Sequence, residues 1–214
     1  MFGVSDGLVS NVSLILGVAG ADPAPGVVRL AGLAGLIAGA VSMAAGEYVS
    51  MRAQTELFER ELDIERRELK RSPHAETVEL SKIYESRGVQ PTRARALAEE
   101  MMRDPDLALE THAREELGID PEQLGSPWSA AISSFIAFTI GALVPLLPWF
   151  FATGNAAVVA SVILGAIAAV VVGVALAKLT GRSPLRSGAR QLAIAAGAAS
   201  VTFAVGRIVG VGVS

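Results

Sequence analysis

Three groups of potential metal ligands lie in the middle of the chain, and neighbouring members of each group are three or four residues apart. The groups are Glu61, Glu65 and Glu68, then Glu76 and Glu79, and finally His112 and Glu116. Residues at these spacings share one face of an α-helix. Stacked carboxylates repel each other unless a cation lies between them, and divalent cations accept oxygen and imidazole ligands. The pattern therefore indicates a candidate divalent-metal site. On spacing alone a solvated helix face is the favoured interpretation, because basic residues are interleaved at positions 66, 67, 70 and 71.

Two further carboxylates lie inside apolar segments. Asp6 is near the start of the first such segment, and Glu47 is within the second. A charge at the centre of a membrane helix costs about 2.5–3.5 kcal/mol on insertion scales and usually faces a pathway or a partner. Met43 and Met51 each lie four residues from Glu47, so one helix face would carry two thioethers and a carboxylate, which suit ferrous iron. We therefore expect Asp6 and Glu47 to face a pathway or a partner. For Met43 and Met51 alone, gap filling in the core is the favoured interpretation, and a place in a transport pathway is the alternative.

Several classes of functional site are missing from the sequence. The absence of cysteine excludes disulfides, thiolate metal sites and cysteine nucleophiles. There is no phosphate-binding loop, which argues against an ATP-driven pump, and no G-x-S-x-G or H-E-x-x-H motif. The basic residues are mixed with acids and lack aromatic neighbours, so nucleic-acid binding is not expected. We predict a protein that is not an enzyme and has no prosthetic group.

Five apolar stretches must position these side chains. They run from about Phe2 to Ala21, Leu30 to Met51, Trp128 to Ala152, Ala156 to Ala177, and from near Gln191 to the C-terminus. Each has about the 20 residues that a helix needs to cross a ~30 Å hydrocarbon core. A bilayer offers no water to unpaired backbone groups, so helices are expected. The sequence therefore predicts an all-α, polytopic membrane protein with five transmembrane helices in contact with lipid.

A charged block separates the second apolar stretch from the third. It holds 18 of the 21 acidic residues and 12 of the 18 basic ones. Good helix formers fill residues 56–71 and continue the second span without a break, so one long helix is expected there. Ser72-Pro73, Pro91 and Asp104-Pro105 then mark further helices, of which the last covers roughly residues 107–117. The predicted organisation is transmembrane helices 1 and 2 in residues 1–55, a helical metal-binding insert in residues 56–125, and transmembrane helices 3 to 5 in residues 126–214.

Basic residues determine the expected orientation. Besides the twelve in the insert, four lie in the short loop over residues 178–190, and the other connections hold only Arg29. The positive-inside rule then places the N-terminus and both basic loops in the cytoplasm and the C-terminus outside. An odd number of spans agrees with this arrangement, because it places the two termini on opposite sides of the membrane.

Three strings in the apolar stretches resemble the vacuolar iron transporter family. They are DGLVSNVSLILGVAG at residues 6–20, AVSMAAGEYVS at residues 40–50 and GALVPLLP at residues 141–148. The order of five spans with a charged insert after the second also resembles this family, and the resemblance covers nearly the whole chain.

The resemblance implies a homodimer of five-helix subunits that exchanges ferrous iron, and in some members manganese, for protons along a path at the subunit interface. Metal would leave the cytoplasm, which in a bacterium means crossing the plasma membrane. The transport carboxylate and thioether of the family match Asp6 and Met43. The metal ligands of the family's insert match Glu65, Glu68, Glu76, Glu79 and Glu116. Plant members have two adjacent methionines where this chain has His112 and Ala113, so a harder site of oxygen and nitrogen ligands is expected.

Two other functions are compatible with the sequence. One is a membrane-anchored sensor or buffer of divalent metal that does not transport, but an anchor has no need of the intramembrane carboxylates Asp6 and Glu47. The other is a membrane enzyme with a carboxylate-bridged di-iron site, for which paired Glu-x-x-His motifs would be expected and are absent.

Overall fold

The computed structural model describes residues 2–24 and 26–211, which form eight α-helices. They are α1 (Phe2–Gly20), α2 (Val27–Arg71), α3 (Pro73–Ser86), α4 (Pro91–Met101), α5 (Pro105–Glu115), α6 (Pro127–Leu146), α7 (Gly154–Thr180) and α8 (Pro184–Val211). A short 3-10 helix, Leu147–Phe150, follows α6 directly. Five elements are long and apolar enough to span a membrane: α1, α2, α6 with its 3-10 extension, α7 and α8. The predicted all-α fold with five membrane helices is confirmed.

The described chain divides into two compact units. The membrane unit comprises Met1–Tyr48 and Trp128–Ser214, and the insert unit comprises Val49–Pro127. Helix α2 contributes to both, because it runs for 45 residues without interruption, as the unbroken sequence pattern predicts. It ends at Arg71 because Ser72 precedes Pro73, and a residue before proline is disfavoured in the helical conformation.

The membrane unit is assembled around α1, the most buried of the five candidate spans. Glycines allow its neighbours to approach closely, since a Cβ at Gly7 would meet the carbonyl oxygen of Phe138, and one at Gly141 would meet that of Val4. The backbones of α1 and α6 are therefore in direct contact. Gly35 makes room in the same way for Leu14, so this glycine of α2 serves packing within the subunit.

Several buried polar side chains in the membrane unit form hydrogen bonds between helices. The side-chain amide of Asn11 donates to the carbonyl of Ala142, at 2.6 Å. Ser161 on α7 donates to the carbonyl of Pro145 at 2.7 Å, and Trp149 donates its indole N–H to Ser161 at 2.9 Å. The third span was predicted as one stretch to Ala152, but Pro148 cannot donate a backbone hydrogen bond, and the α-helix gives way to a 3-10 turn. The hydroxyl of Ser161 donates to the Pro145 carbonyl just before the α-helix changes to the 3-10 turn.

The insert unit has a small apolar core between α3 and α4. Leu80 and Tyr84 pack there against Ala94 and Ala98. Helix α5 begins two residues earlier than predicted, because Pro105 takes its first position and the Asp104 carboxylate accepts hydrogen bonds from the two backbone N–H groups at residues 106 and 107. In the membrane unit, α8 likewise begins at Pro184, before the expected start near Gln191.

Candidate functional site

Three of the predicted metal ligands lie together in the insert unit. Glu65 lies on the part of α2 that belongs to the insert unit, while His112 and Glu116 lie at the end of α5. One ligand atom from each residue lies within 4.8 Å of the others, close enough to share one metal ion. Glu65 is 3% exposed and His112 is fully buried, whereas Glu116 is more accessible. The group therefore has a buried floor and one carboxylate at its rim.

The histidine ring lies between the two carboxylates. Its Nδ1 is 3.1 Å from Glu65 Oε1 and 3.5 Å from Glu116 Oε2. The Glu65 oxygen is within ion-pair distance of Nδ1. Glu65 Oε1 and His112 Nε2 are both buried without a geometrically aligned hydrogen-bond partner among the described residues. Leaving such groups unpaired costs about 1–3 kcal/mol each, and more for a charged group. A carboxylate oxygen left in this state is available as a ligand for a cation.

Two carboxylic acids, Glu116 in this group and Glu76 near it, have raised pKa values. Burial, followed by the charges of Glu65 and Glu79, raises the pKa of Glu76. Burial, followed by the same two charges, also raises the pKa of Glu116, although His112 partly opposes the shift. A divalent cation would relieve this repulsion, because it favours the ionised form of each carboxylate.

His112 is shifted toward its charged form. Burial lowers the pKa of His112, but the neighbouring Glu65 and Glu116 outweigh burial and leave that pKa above its ordinary value. A protonated imidazole between two carboxylates supplies the positive charge that a metal ion would supply. Metal binding through this nitrogen therefore requires loss of its proton.

The other three predicted ligands of the insert surround the group without joining it. Glu76 is buried, while Glu68 and Glu79 are exposed. The charges of Glu65, Glu68 and Glu79 all act on Glu76, so α2 and α3 bring these carboxylates into one electrostatic neighbourhood. None of the three belongs to the set within reach of a single ion among the described residues.

The predicted pathway residues lie on α1 and α2. Asp6 is exposed on its helix, and the hydroxyl of Ser10, one turn further on, donates to its carboxylate at 3.4 Å. The methyl group of Met43 lies 3.4 Å from the position a Cβ of Gly3 would take, so this thioether packs against α1 about one turn before Asp6. Glu47 is partly buried in the membrane unit. Met51 belongs to the insert unit, where its sulfur lies against Gly125.

Some interactions could not be read from the sequence. The Arg87 guanidinium binds Glu115 and ties the end of α3 to the end of α5. Tyr48 and Trp128 form an aromatic pair between α2 and α6, with ring centroids 4.9 Å apart. Tyrosine and tryptophan at the ends of apolar stretches are typical of a membrane–water boundary. Their residue types were the one signal in the sequence that pointed to this pair. The ion pair joins residues 28 positions apart, and no local spacing rule identifies such a partner.

Comparison with known proteins identifies the family. The family model described as "VIT family" matches residues 1–207. A protein of Eucalyptus grandis named vacuolar iron transporter 1 is 32% identical over 210 residues, which cover 98% of this chain and 84% of that protein. The Arabidopsis thaliana protein of the same name is 31% identical over the same coverage. A vacuolar iron transporter of Acanthamoeba castellanii is 41% identical over 141 residues, which cover 66% of this chain and 53% of that protein.

These matches confirm the resemblance seen in the sequence motifs. They agree with the expectation that the protein is a transporter and not an enzyme, and with the five apolar helices of an integral membrane protein. The chain belongs to the VIT family.

Proposed function

We propose that the protein is a proton-coupled transporter that exports ferrous iron, manganese or both from the cytoplasm, and that its insert captures the metal. The observation that carries the proposal is that the match to proteins named vacuolar iron transporters extends over 98% of the chain, insert included. The coarser part, a role in metal transport, follows from the family. The ion, the coupling and the residues are argued from the chemistry of this chain.

The insert offers a donor set for a hard or borderline divalent ion. Glu65, His112 and Glu116 supply two carboxylates and one imidazole, which suit Mn²⁺ and Fe²⁺ and are poor ligands for Cu⁺. Glu68, Glu76 and Glu79 add negative charge around this group. The field of these carboxylates would raise the local concentration of cations. Capture at this site would precede transfer to the membrane unit.

The membrane unit offers a carboxylate that an anchor would not need. Asp6 is exposed on the surface of a candidate span, and Ser10 is its one hydrogen-bond partner in the described chain. A charge facing lipid is costly, so this face requires a partner or an aqueous path. Met43 packs against the same end of α1 and would add a thioether. Glu47 follows one turn later on α2, and Met51 would lie at the mouth of the path.

A second copy of the chain is the partner we propose for this face. Small residues recur every four positions on the exposed surface of α2, at Ala34, Ala38, Ser42 and Gly46. Such a stripe permits close approach of another helix in a membrane. Because Gly35 of α2 packs on Leu14 of α1, the two helices are neighbours, and a homodimer would bury the stripe and bring two Asp6 residues near its axis.

Coupling to protons follows from the same ligands. A carboxylate that binds either a metal ion or a proton exchanges one for the other, and a proton gradient can then drive metal in the opposite direction. The insert and residues 178–190 hold 16 of the 18 basic residues, and this distribution supports a cytoplasmic location for both and for the N-terminus. In a bacterial cell the metal would then leave across the plasma membrane.

The test is uptake of Mn²⁺ and Fe²⁺ into proteoliposomes that contain the purified protein, with and without an acidic lumen. We expect uptake that depends on the pH gradient and is lost in Asp6→Ala. Asp22→Ala is the matched control, because Asp22 is the exposed carboxylate that lies in the membrane unit outside the helices. Normal uptake by Asp6→Ala would remove Asp6 from the pathway, and uptake independent of the gradient would contradict proton coupling.

The alternative function is a membrane-anchored metal sensor or buffer. It is favoured by one observation, that the insert forms a compact unit with its own group of ligands. Metal binding by the protein with no uptake under either condition would establish this alternative and contradict the proposed transport.

A further inference from the structure

The hairpin between α7 and α8 carries a cluster of basic residues that the transport proposal does not use. Lys178, Arg182, Arg186 and Arg190 lie within 13 residues, and no acidic residue occurs between the first and the last. All four are exposed. The membrane unit has six basic and three acidic residues, and four of the six basic residues are in this hairpin.

The four cations of this hairpin have no ion pair within the described parts of the chain, residues 2–24 and 26–211. In the insert, by contrast, six arginines are paired with carboxylates, among them Arg52 with Glu56 and Arg95 with Glu99. Six of the ten arginines of the insert thus find a carboxylate within the described chain. The hairpin lacks any acid, so its positive charge is left for a ligand outside the subunit.

The hairpin is rigid enough to hold these charges in place. Gly181 closes α7 in the left-handed conformation, with φ of 63°, and Pro184 begins α8 three residues later. Just beyond the turn the two backbones touch, because a Cβ at Gly173 would lie 2.6 Å from the carbonyl oxygen of Ser187. A preorganised group of cations loses less conformational entropy when it binds an anion.

Apolar side chains accompany the cations at the same tip. Leu179 is 72% exposed and Leu185 is 82% exposed. The tip also lies at the end of two candidate membrane spans, which places it at the level of the lipid headgroups. Leucine beside arginine is the composition of a segment that lies at the boundary between headgroups and acyl chains.

We propose that this hairpin is a binding surface for anionic phospholipid. Arginine guanidinium groups bind phosphate oxygens through two parallel hydrogen bonds, and Lys178 would add a point charge. The first N–H groups of α8 have no acceptor within their own helix and also favour an anion. The two leucines would contact the first methylene groups of the acyl chains, so a phospholipid satisfies the surface better than free phosphate.

The test uses the full-length protein in mild detergent and follows its thermal unfolding and, by native mass spectrometry, the lipids it retains. Phosphatidylglycerol, phosphatidylcholine and inorganic phosphate are added separately. We expect phosphatidylglycerol to raise the Tm more than phosphatidylcholine does and to remain bound, and we expect inorganic phosphate to have no comparable effect. High salt should weaken the response, since exposed charges are screened.

The decisive variant is Arg186→Gln/Arg190→Gln, which removes two cations from the exposed surface of α8. Each basic residue near an anionic surface contributes about 1 kcal/mol, so the concentration of phosphatidylglycerol that gives half of the effect should rise at least tenfold. Arg186→Lys/Arg190→Lys keeps the charge and should retain most of the response. Arg29→Gln/Arg207→Gln is the matched control, with two exposed arginines of the same unit outside the hairpin.

Three outcomes would overturn the proposal. They are equal effects of the two lipids on the native chain, an unchanged response in Arg186→Gln/Arg190→Gln, and full stabilisation by inorganic phosphate alone. If the double Gln variant does not fold, the Lys variant and the salt dependence still decide, because loss of binding in a folded Lys variant or insensitivity to salt would contradict a surface that acts through charge.

Discussion

The membrane unit and the insert unit of this chain are stabilised in opposite ways. In the membrane unit, glycines bring helix backbones into contact, and Asn11 and Ser161 donate hydrogen bonds to carbonyls of neighbouring helices. In the insert unit, the apolar core is small and several carboxylates surround one buried histidine. Close packing stabilises the membrane unit and depends little on pH or on metal ions. The stability of the insert unit depends on both, because protons and cations reduce the repulsion between its carboxylates.

This difference assigns different tasks to the two units. Close-packed helices transmit strain and keep a pathway in register, because a packed interior deforms little. A cluster of carboxylates around an imidazole is less stable without a cation, and binding energy can then be used to order it. Under the proposed function, the protein would combine a close-packed scaffold for Asp6 with a site that responds to metal.

The largest effect is expected from filling the α1–α6 contact. In Gly141→Val the new side chain would meet the backbone of Val4, and overpacking of this kind costs about 1–3 kcal/mol even where side chains can move. We expect most of the monodisperse protein to be lost in gel filtration after detergent extraction. Gly197→Val is the control, since nothing lies within 4 Å of that position. A normal yield of Gly141→Val would show that shape does not hold this unit together.

A smaller and more selective effect is expected in the insert. Glu65→Gln removes the buried carboxylate of the candidate metal group, and the affinity for Mn²⁺ measured by calorimetry should fall by about 100-fold, as for loss of a group that supports a metal. Glu59→Gln changes an exposed carboxylate of the same helix and should bind normally. Asp6→Ala should also bind Mn²⁺ normally. Weakened binding in Asp6→Ala would contradict a division of tasks between the units.

The smallest effect concerns pH in the absence of metal. The pKa values of Glu76, Glu116 and His112 are all raised, so these three groups bind more protons in the folded insert than in the unfolded chain. The stability that they contribute is fully present at low pH and is lost as pH rises above about 4.5 for the carboxylates and above about 6.5 for the histidine. Hydrogen exchange in α5, corrected for the intrinsic rate, should be slower at pH 6 than at pH 8.

Manganese at pH 8 should restore the protection of α5, because the cation replaces the bound protons. Helix α7 has no acidic residue and provides the internal control, whose corrected exchange should be the same at both pH values. Greater protection of metal-free α5 at pH 8 would mean that the carboxylates do not destabilise the insert.

The sequence by itself determined the class of the fold and most of its elements. Runs of about 20 apolar residues have few structures available in a membrane. The prolines at positions 73 and 91 begin helices where they were expected to do so, whereas Pro105 begins its helix two residues before the predicted start. Glutamate and histidine three or four residues apart indicated metal ligands around positions 65 and 112. This spacing can be read from the sequence, because it concerns neighbours along one helix. Asp6 could also be recognised from the sequence, because it is a carboxylate within an apolar stretch.

Only the tertiary structure decided which ligands meet. Glu65 and His112 are 47 positions apart, and the structure brings Glu65, His112 and Glu116 together and leaves Glu68 and Glu79 exposed. The same holds for the glycines, because the direct backbone contacts of α1 with α6 depend on Gly7 and Gly141. A repeat along one helix specifies which residues share a face. Which helix that face meets depends on the free energy of packing the whole chain, which no local pattern contains.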